Sequence, residues 1–163
     1  MPWEVTIKGR NDEPLGSRDE IVNAISSALP AVKWRVEPSM LEQIKDMPDH
    51  SFHTLLPTWS EATRLHMSTP HLRGDFVDNE MSIELFGFEG DPIKMIHADV
   101  RGNGNPIPAL AAICLPRGWL VIDVAENREI DLAAGDSTPW EQFTQYRDRA
   151  IDSTRKSQSE PEN

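Results

Sequence analysis

Five short stretches of this chain alternate apolar and polar residues with a period of two, and that alternation limits the possible folds more than any other feature. In WEVTIK, Trp3, Val5 and Ile7 fall on one side and Glu4, Thr6 and Lys8 on the other. Val32, Trp34 and Val36 alternate in the same way with Lys33, Arg35 and Glu37. Successive strand side chains point to opposite faces, so each stretch predicts a strand with one buried side. The other three, LRGDFVD, MSIELFGF and PIKMIHADVR, are separated only by the turn-rich DNE and EGDP, which predicts an antiparallel meander. WLVIDV reads as a further strand, AENRE as a turn, and EIDL as a short strand pairing back.

Helical signals lie between these stretches. Ser17 and Glu20 have capping-box spacing, and the apolar stripe Ile21, Ala24, Ile25, Ala28 and Leu29 follows, ended by Pro30. Thr138, Pro139 and Glu141 open a last helix, with Trp140, Phe143, Ala150 and Ile151 as its buried side. Between Ser39 and Pro70, helical pieces around Met40 to Met47 and Phe52 to Met67 are interrupted by Pro48 and Pro57. A proline inside a helix removes a hydrogen bond and clashes with the preceding turn, so two or three short helices or an excursion over the surface are expected there. The order of elements describes an α+β two-layer sandwich over residues 1–151, with helices on one face of a mainly antiparallel sheet of about six or seven strands. Residues 152–163, DSTRKSQSEPEN, have nothing to bury and read as a disordered polar tail.

A chain of 163 residues is long enough to bury about two-thirds of its unfolded surface, so no metal or disulfide is required for stability. The single cysteine, Cys114, rules out an intramolecular disulfide, lies in the apolar run ALAAIC, and favours a reducing cytosol. The opening MPWEVTIKGR lacks a basic region followed by an apolar one, and no apolar run approaches the roughly 18 residues of a membrane span. The expectation is a cytoplasmic protein that does not enter membranes. A net charge of −11 repels a nucleic-acid backbone and attracts a basic protein.

The stretch from Asp99 to Cys114, DVRGNGNPIPALAAIC, has the strand, glycine turn and helix order of a nucleotide-phosphate loop. Its chemistry argues otherwise. Ile107 stands where the dinucleotide fingerprint needs a small residue, and no Gly-Lys-Ser/Thr follows. Pro106 and Pro108 lack the N–H groups that would face an anion at a helix start. The same residues serve well as a joint: Asn105 as helix N-cap, Pro106 in the first turn, Gly102 and Gly104 supplying positive φ. No cofactor is expected.

Candidate chemistry is sparse. If Ile96, Ala98 and Val100 face the helices, then His97, Asp99 and Arg101 share the other side of their strand, where Asp75 and Glu84 can join them in a favourable register. A histidine beside carboxylates is how a general base is oriented, so His97, Asp99 and Glu84 are the catalytic candidates. A salt-bridged outer face has the same sequence pattern. His50 and His53 are three apart and would share a helix face, but no HExxH or cysteine frame supports a metal. Trp3, Trp34, Trp119 and Trp140 read as core residues, which leaves Trp59, with His53 and Arg101, as candidate ligand or partner contacts.

The run from Asp99 to Leu132, with GNGNP, a short helix, GW, an apolar strand and an Asp-bounded hairpin, resembles segments of small uncharacterised bacterial proteins, some encoded near toxin systems. The resemblance implies a bacterial cytosolic protein and carries over no catalytic residue. The first functional expectation is a non-enzymatic binding module, of the immunity-inhibitor type, whose acidic surface covers a basic partner. The alternatives are a small enzyme or ligand-binding protein with a pocket between the sheet and residues 39–70, and a structural or self-associating domain.

Overall fold

Alternating strands bury one side only when their registers bring the apolar residues together, and a computed structural model, which describes residues 1–45 and 59–159, shows how this happens. In chain order the elements are β1 (Trp3–Lys8), α1 (Arg18–Ala28), β2 (Lys33–Glu37), α2 (Met40–Ile44), α3 (Glu61–Ser68) and β3 (His71–Val77). Then come β4 (Met81–Phe86), β5 (Met95–Gly102), α4 (Ile107–Cys114), β6 (Leu120–Asp123), β7 (Arg128–Glu129) and α5 (Thr138–Ser159). The strands form one seven-stranded sheet in the order β2-β3-β4-β5-β1-β6-β7, with every neighbouring pair antiparallel. This is an α+β architecture; β3 to β5 are the expected meander, and β2 pairs with its outer edge. β1 adds to the far edge of β5 and so comes to lie inside the sheet.

The registers gather the apolar residues of six strands on one face. Trp34 lies opposite Gly74, Gly74 opposite Leu85, Leu85 opposite Ala98, Ala98 opposite Val5, and Val5 opposite Asp123. Against this face α1 buries Ile21, Ala24 and Ile25, α4 buries Ile107, Leu110, Ile113 and Cys114, and α5 buries Trp140. A Cβ on Gly74 would come within 2.8 Å of Trp34 Cζ3, so glycine there lets the indole cross β3. Trp34 Nε1 donates to Ser26 Oγ on α1 at 2.9 Å, and its ring meets Phe88 edge-on at 5.4 Å.

The expected caps form at α1, where Ser17 Oγ accepts from the Glu20 N–H at 3.2 Å, and Ser39 and Ser60 cap α2 and α3 in the same way. At the joint after β5, Gly102 takes φ +102, and a Cβ there would meet Glu80 O at 2.2 Å. Gly104, by contrast, is not among the positive-φ residues. Asn105 Oδ1 accepts from the Ile107 N–H at 3.0 Å, and Pro106 already has helical φ/ψ, so Asn105 acts as the cap. The N–H groups of Asn103 and Gly104 both donate to Glu80 O, at 2.7 and 3.2 Å, which uses the donors a phosphate would need. Arg147 of α5 locks the turn by donating to Gly102 O at 2.6 Å and Asn103 Oδ1 at 2.7 Å.

Several boundaries depart from expectation. β7 is Arg128–Glu129, inside the expected turn AENRE, because Asp123 Oδ1 accepts the N–H groups of Ala125 and Glu126 and closes the hairpin early. α5 starts at the expected cap itself: the Glu141 N–H donates to Ser137 O at 2.9 Å, which puts Thr138 in the first turn. It also runs through Ser159; of the expected polar tail, 160–163 lie outside the described residues, and residues 152–159 are helical. No proline or glycine interrupts that stretch, and extending a formed helix needs only one hydrogen bond per residue fixed. Ala150 and Ile151 were expected on the buried side of α5 and are exposed. Val36, at the outer edge strand, is 67% exposed. Among the described residues, no helix is long and apolar enough to cross a membrane.

Candidate functional site

The apolar alternation has a polar counterpart on the opposite face of the sheet. Asp75 lies opposite Glu84, Glu84 opposite Asp99, and Asp99 opposite Glu4, so one row across β3, β4, β5 and β1 consists of carboxylates. The register thus brings Asp75, Glu84 and Asp99 together as the sequence reading required. The neighbouring row runs from Phe86 to His97 to Thr6 to Ile122. Side chains on this face are half-buried or exposed.

Two arginines neutralise one half of the carboxylate row. Arg35 Nε donates to Asp75 Oδ2 at 2.7 Å and Nη2 to Glu84 Oε2 at 3.3 Å, and Arg35 also pairs closely with Glu37. Arg73 donates to Glu37 Oε2 and Glu84 Oε1, both at 3.0 Å, while its guanidinium lies 5.0 Å over the Phe86 ring. The hydrogen bond from Arg35, reinforced by Arg73, holds the Glu37 carboxyl below the usual carboxylate range.

The other half lacks such compensation. Burial, and then the charge of Glu4 directly across the strands, push the Asp99 carboxyl above its ordinary value. Arg101, which is 51% exposed, approaches Asp99 only to 3.8 Å. Like charges directly opposite on a sheet destabilise it, so Glu4 and Asp99 form a point of stored repulsion.

His97 shares this face, but its Nδ1 meets Thr6 Oγ1 at 3.2 Å, and its ring lies 5.4 Å from Phe86. Among the described residues it makes no hydrogen bond to a carboxylate, so the orientation a general base requires is not formed. Cys114 offers no nucleophile: it is buried, and burial pushes its thiol up to about 12. His71 Nδ1 contacts Glu89 Oε1 at 2.7 Å at the corner of the face, with the His66 ring of α3 5.5 Å away.

The remaining candidates do not join the row. Trp59 is half-buried in a bend just before α3 and shares no hydrogen bond or ring contact with this face among the described residues. His50 and His53 lie outside the described residues, among which no group of three or more metal-ligating side chains occurs. Among the described residues, clefts of about 320 to 420 Å³ open elsewhere, and His97, Asp99 and Glu84 do not line them. Sequence reasoning missed the Arg35, Glu37 and Arg73 network. Periodicity puts Arg35 and Glu37 on the polar side of β2, but only the β2–β3 register shows that they meet Arg73 and Asp75. Comparison with known protein families, with curated proteins and with solved structures yields no match.

Proposed function

We propose that the protein is a non-enzymatic binding module, and that the polar face of its sheet docks a basic protein, as an immunity-type inhibitor would. The observation that carries this reading is the Glu4–Asp99 pair, two adjacent carboxylates whose close cation is the half-exposed Arg101, 3.8 Å from Asp99, in a chain of net charge −11. A lysine or arginine docked between them would relieve their repulsion, and the field of the whole chain would steer such a partner inward. The paired half of the row, held by Arg35 and Arg73, supplies a pre-ordered flank at low entropic cost.

The test is capture on the immobilised protein from cytosol of the source organism. A basic protein is expected to be retained at low salt and released as ionic strength rises, its own activity falling when bound. Glu4→Lys, at an exposed position, is expected to abolish retention while leaving the fold intact. Absence of any basic partner, or retention indifferent to Glu4→Lys, would overturn the reading. The second reading, a small enzyme or ligand-binding protein using His97 and Asp99, draws on the perturbed Asp99 carboxyl, since such groups concentrate at functional sites. It requires turnover or ligand binding that is lost in both His97→Ala and Asp99→Asn.

A further inference from the structure

On the helix side of the sheet, away from the polar face, a cleft of about 420 Å³ opens between the start of β1, the β6–β7 turn and one stripe of α5. Gln142, Phe143 and Tyr146 of α5 line it with Trp3, Asp123 and Glu126. These α5 residues are three and four apart and so share one helix face. Its volume suits a small organic molecule.

Three observations define what that molecule should be. First, the walls are aromatic and pre-ordered: Trp3 packs on Trp140 at 5.5 Å, Trp140 stacks on Phe143 at 5.8 Å, and Tyr146 stands 63% exposed at the mouth. Second, the lining contains two carboxylates and no basic side chain. Asp123 is only 3% exposed, and its Oδ1 caps the turn through Ala125 and Glu126, while Oδ2 has no hydrogen-bond partner among the described residues. Third, Trp3 is 2% exposed, and its Nε1 is the only buried side-chain polar atom among the described residues without a partner. Leaving a buried donor unmade is costly, and an acceptor reaching it would remove that cost.

We infer that the cleft bounded by Trp3, Phe143, Tyr146 and Asp123 binds a small organic ammonium ion that carries an oxygen acceptor. Ring faces attract a cation through their quadrupoles, and the carboxylates at Asp123 and Glu126 supply the counter-charge. A free anion is disfavoured by the same two groups, and a neutral apolar ligand would leave the Asp123 carboxylate without a partner as it covered it. The site is separate from the docking face and stands whether or not that reading holds.

Choline is the probe, with its neutral carbon isostere 3,3-dimethylbutan-1-ol as control, followed by NMR of the tryptophan indole N–H groups and by calorimetry. Choline is expected to bind saturably with a dissociation constant below ~10 mM, shifting the Trp3 indole resonance, and the isostere about fivefold to tenfold more weakly. Asp123→Asn keeps the turn-capping oxygen and removes the charge, and it should weaken choline by a similar factor. Tyr146→Ala, at an exposed position, should do the same without disturbing the fold. Equal affinity for the isostere, an unchanged constant in both variants, shifts confined to residues outside the cleft, or no saturation by ~50 mM would each overturn the inference.

Discussion

Leu85 and Glu84 are neighbours on β4, yet they belong to regions governed by different physics. Leu85 is fully buried between Gly74 and Ala98 on the inner face, whereas Glu84 sits between Asp75 and Asp99 on the polar face and is held by Arg35 and Arg73. On the inner side, apolar area removed from water and close packing set the energy, and almost any truncation leaves a cavity. On the polar side, exposed ion pairs contribute little each, because solvent screens them and long side chains lose freedom when held. A face that contributes so little to stability is free to carry charge in a pattern chosen by something else.

Substitutions can break that contrast or sharpen it. Leu85→Ala should cost about 3 kcal/mol in denaturant unfolding, and Glu84→Gln less than about 1 kcal/mol. Comparable losses would mean that the polar face is structural after all. Asn105→Ala removes the α4 cap and should cost about 1 kcal/mol by the same measurement. A loss of partner binding in that variant with stability unchanged would move the glycine joint from architecture to function.

The smallest expected effect has the opposite sign. Because the Asp99 carboxyl is raised in the fold, the unfolded chain ionises first as pH increases, and the unfolded state is favoured over that interval. Asp99→Asn should therefore match the wild type below the ordinary carboxylate range. Above it the variant should be more stable, by roughly 0.2–1 kcal/mol, with the gap opening as pH rises through the interval. Urea unfolding at a series of pH values reads this directly, and a variant less stable at neutral pH would show that Arg101 outweighs Glu4.

Much of this could be read from the sequence because it is local. Period-two alternation located β1 to β5 and assigned His97, Asp99 and Arg101 to one side, and capping patterns located the starts of α1 and α4. Local signals failed where no side chain marks the boundary. Nothing in DSTRKSQS stops a helix, so α5 runs through residues 152–159 by propagation rather than by burial. The two-residue β7 depends on how Asp123 closes its turn, which is a geometric outcome.

By itself, the sequence determined which side of each strand is apolar, the absence of an intramolecular disulfide, and a strongly acidic chain. Those properties depend on residue identity and on spacings of two to four. Strand order and register were decided only by the tertiary structure, because they depend on which of many similar strands lie side by side. That choice made Asp75, Glu84, Asp99 and Glu4 a single row, left its last pair faced by the half-exposed Arg101, and placed the unpartnered Trp3 indole beside Phe143 and Asp123. The residues concerned lie up to about 140 positions apart in the chain, from Trp3 to Phe143, farther than any local pattern reaches.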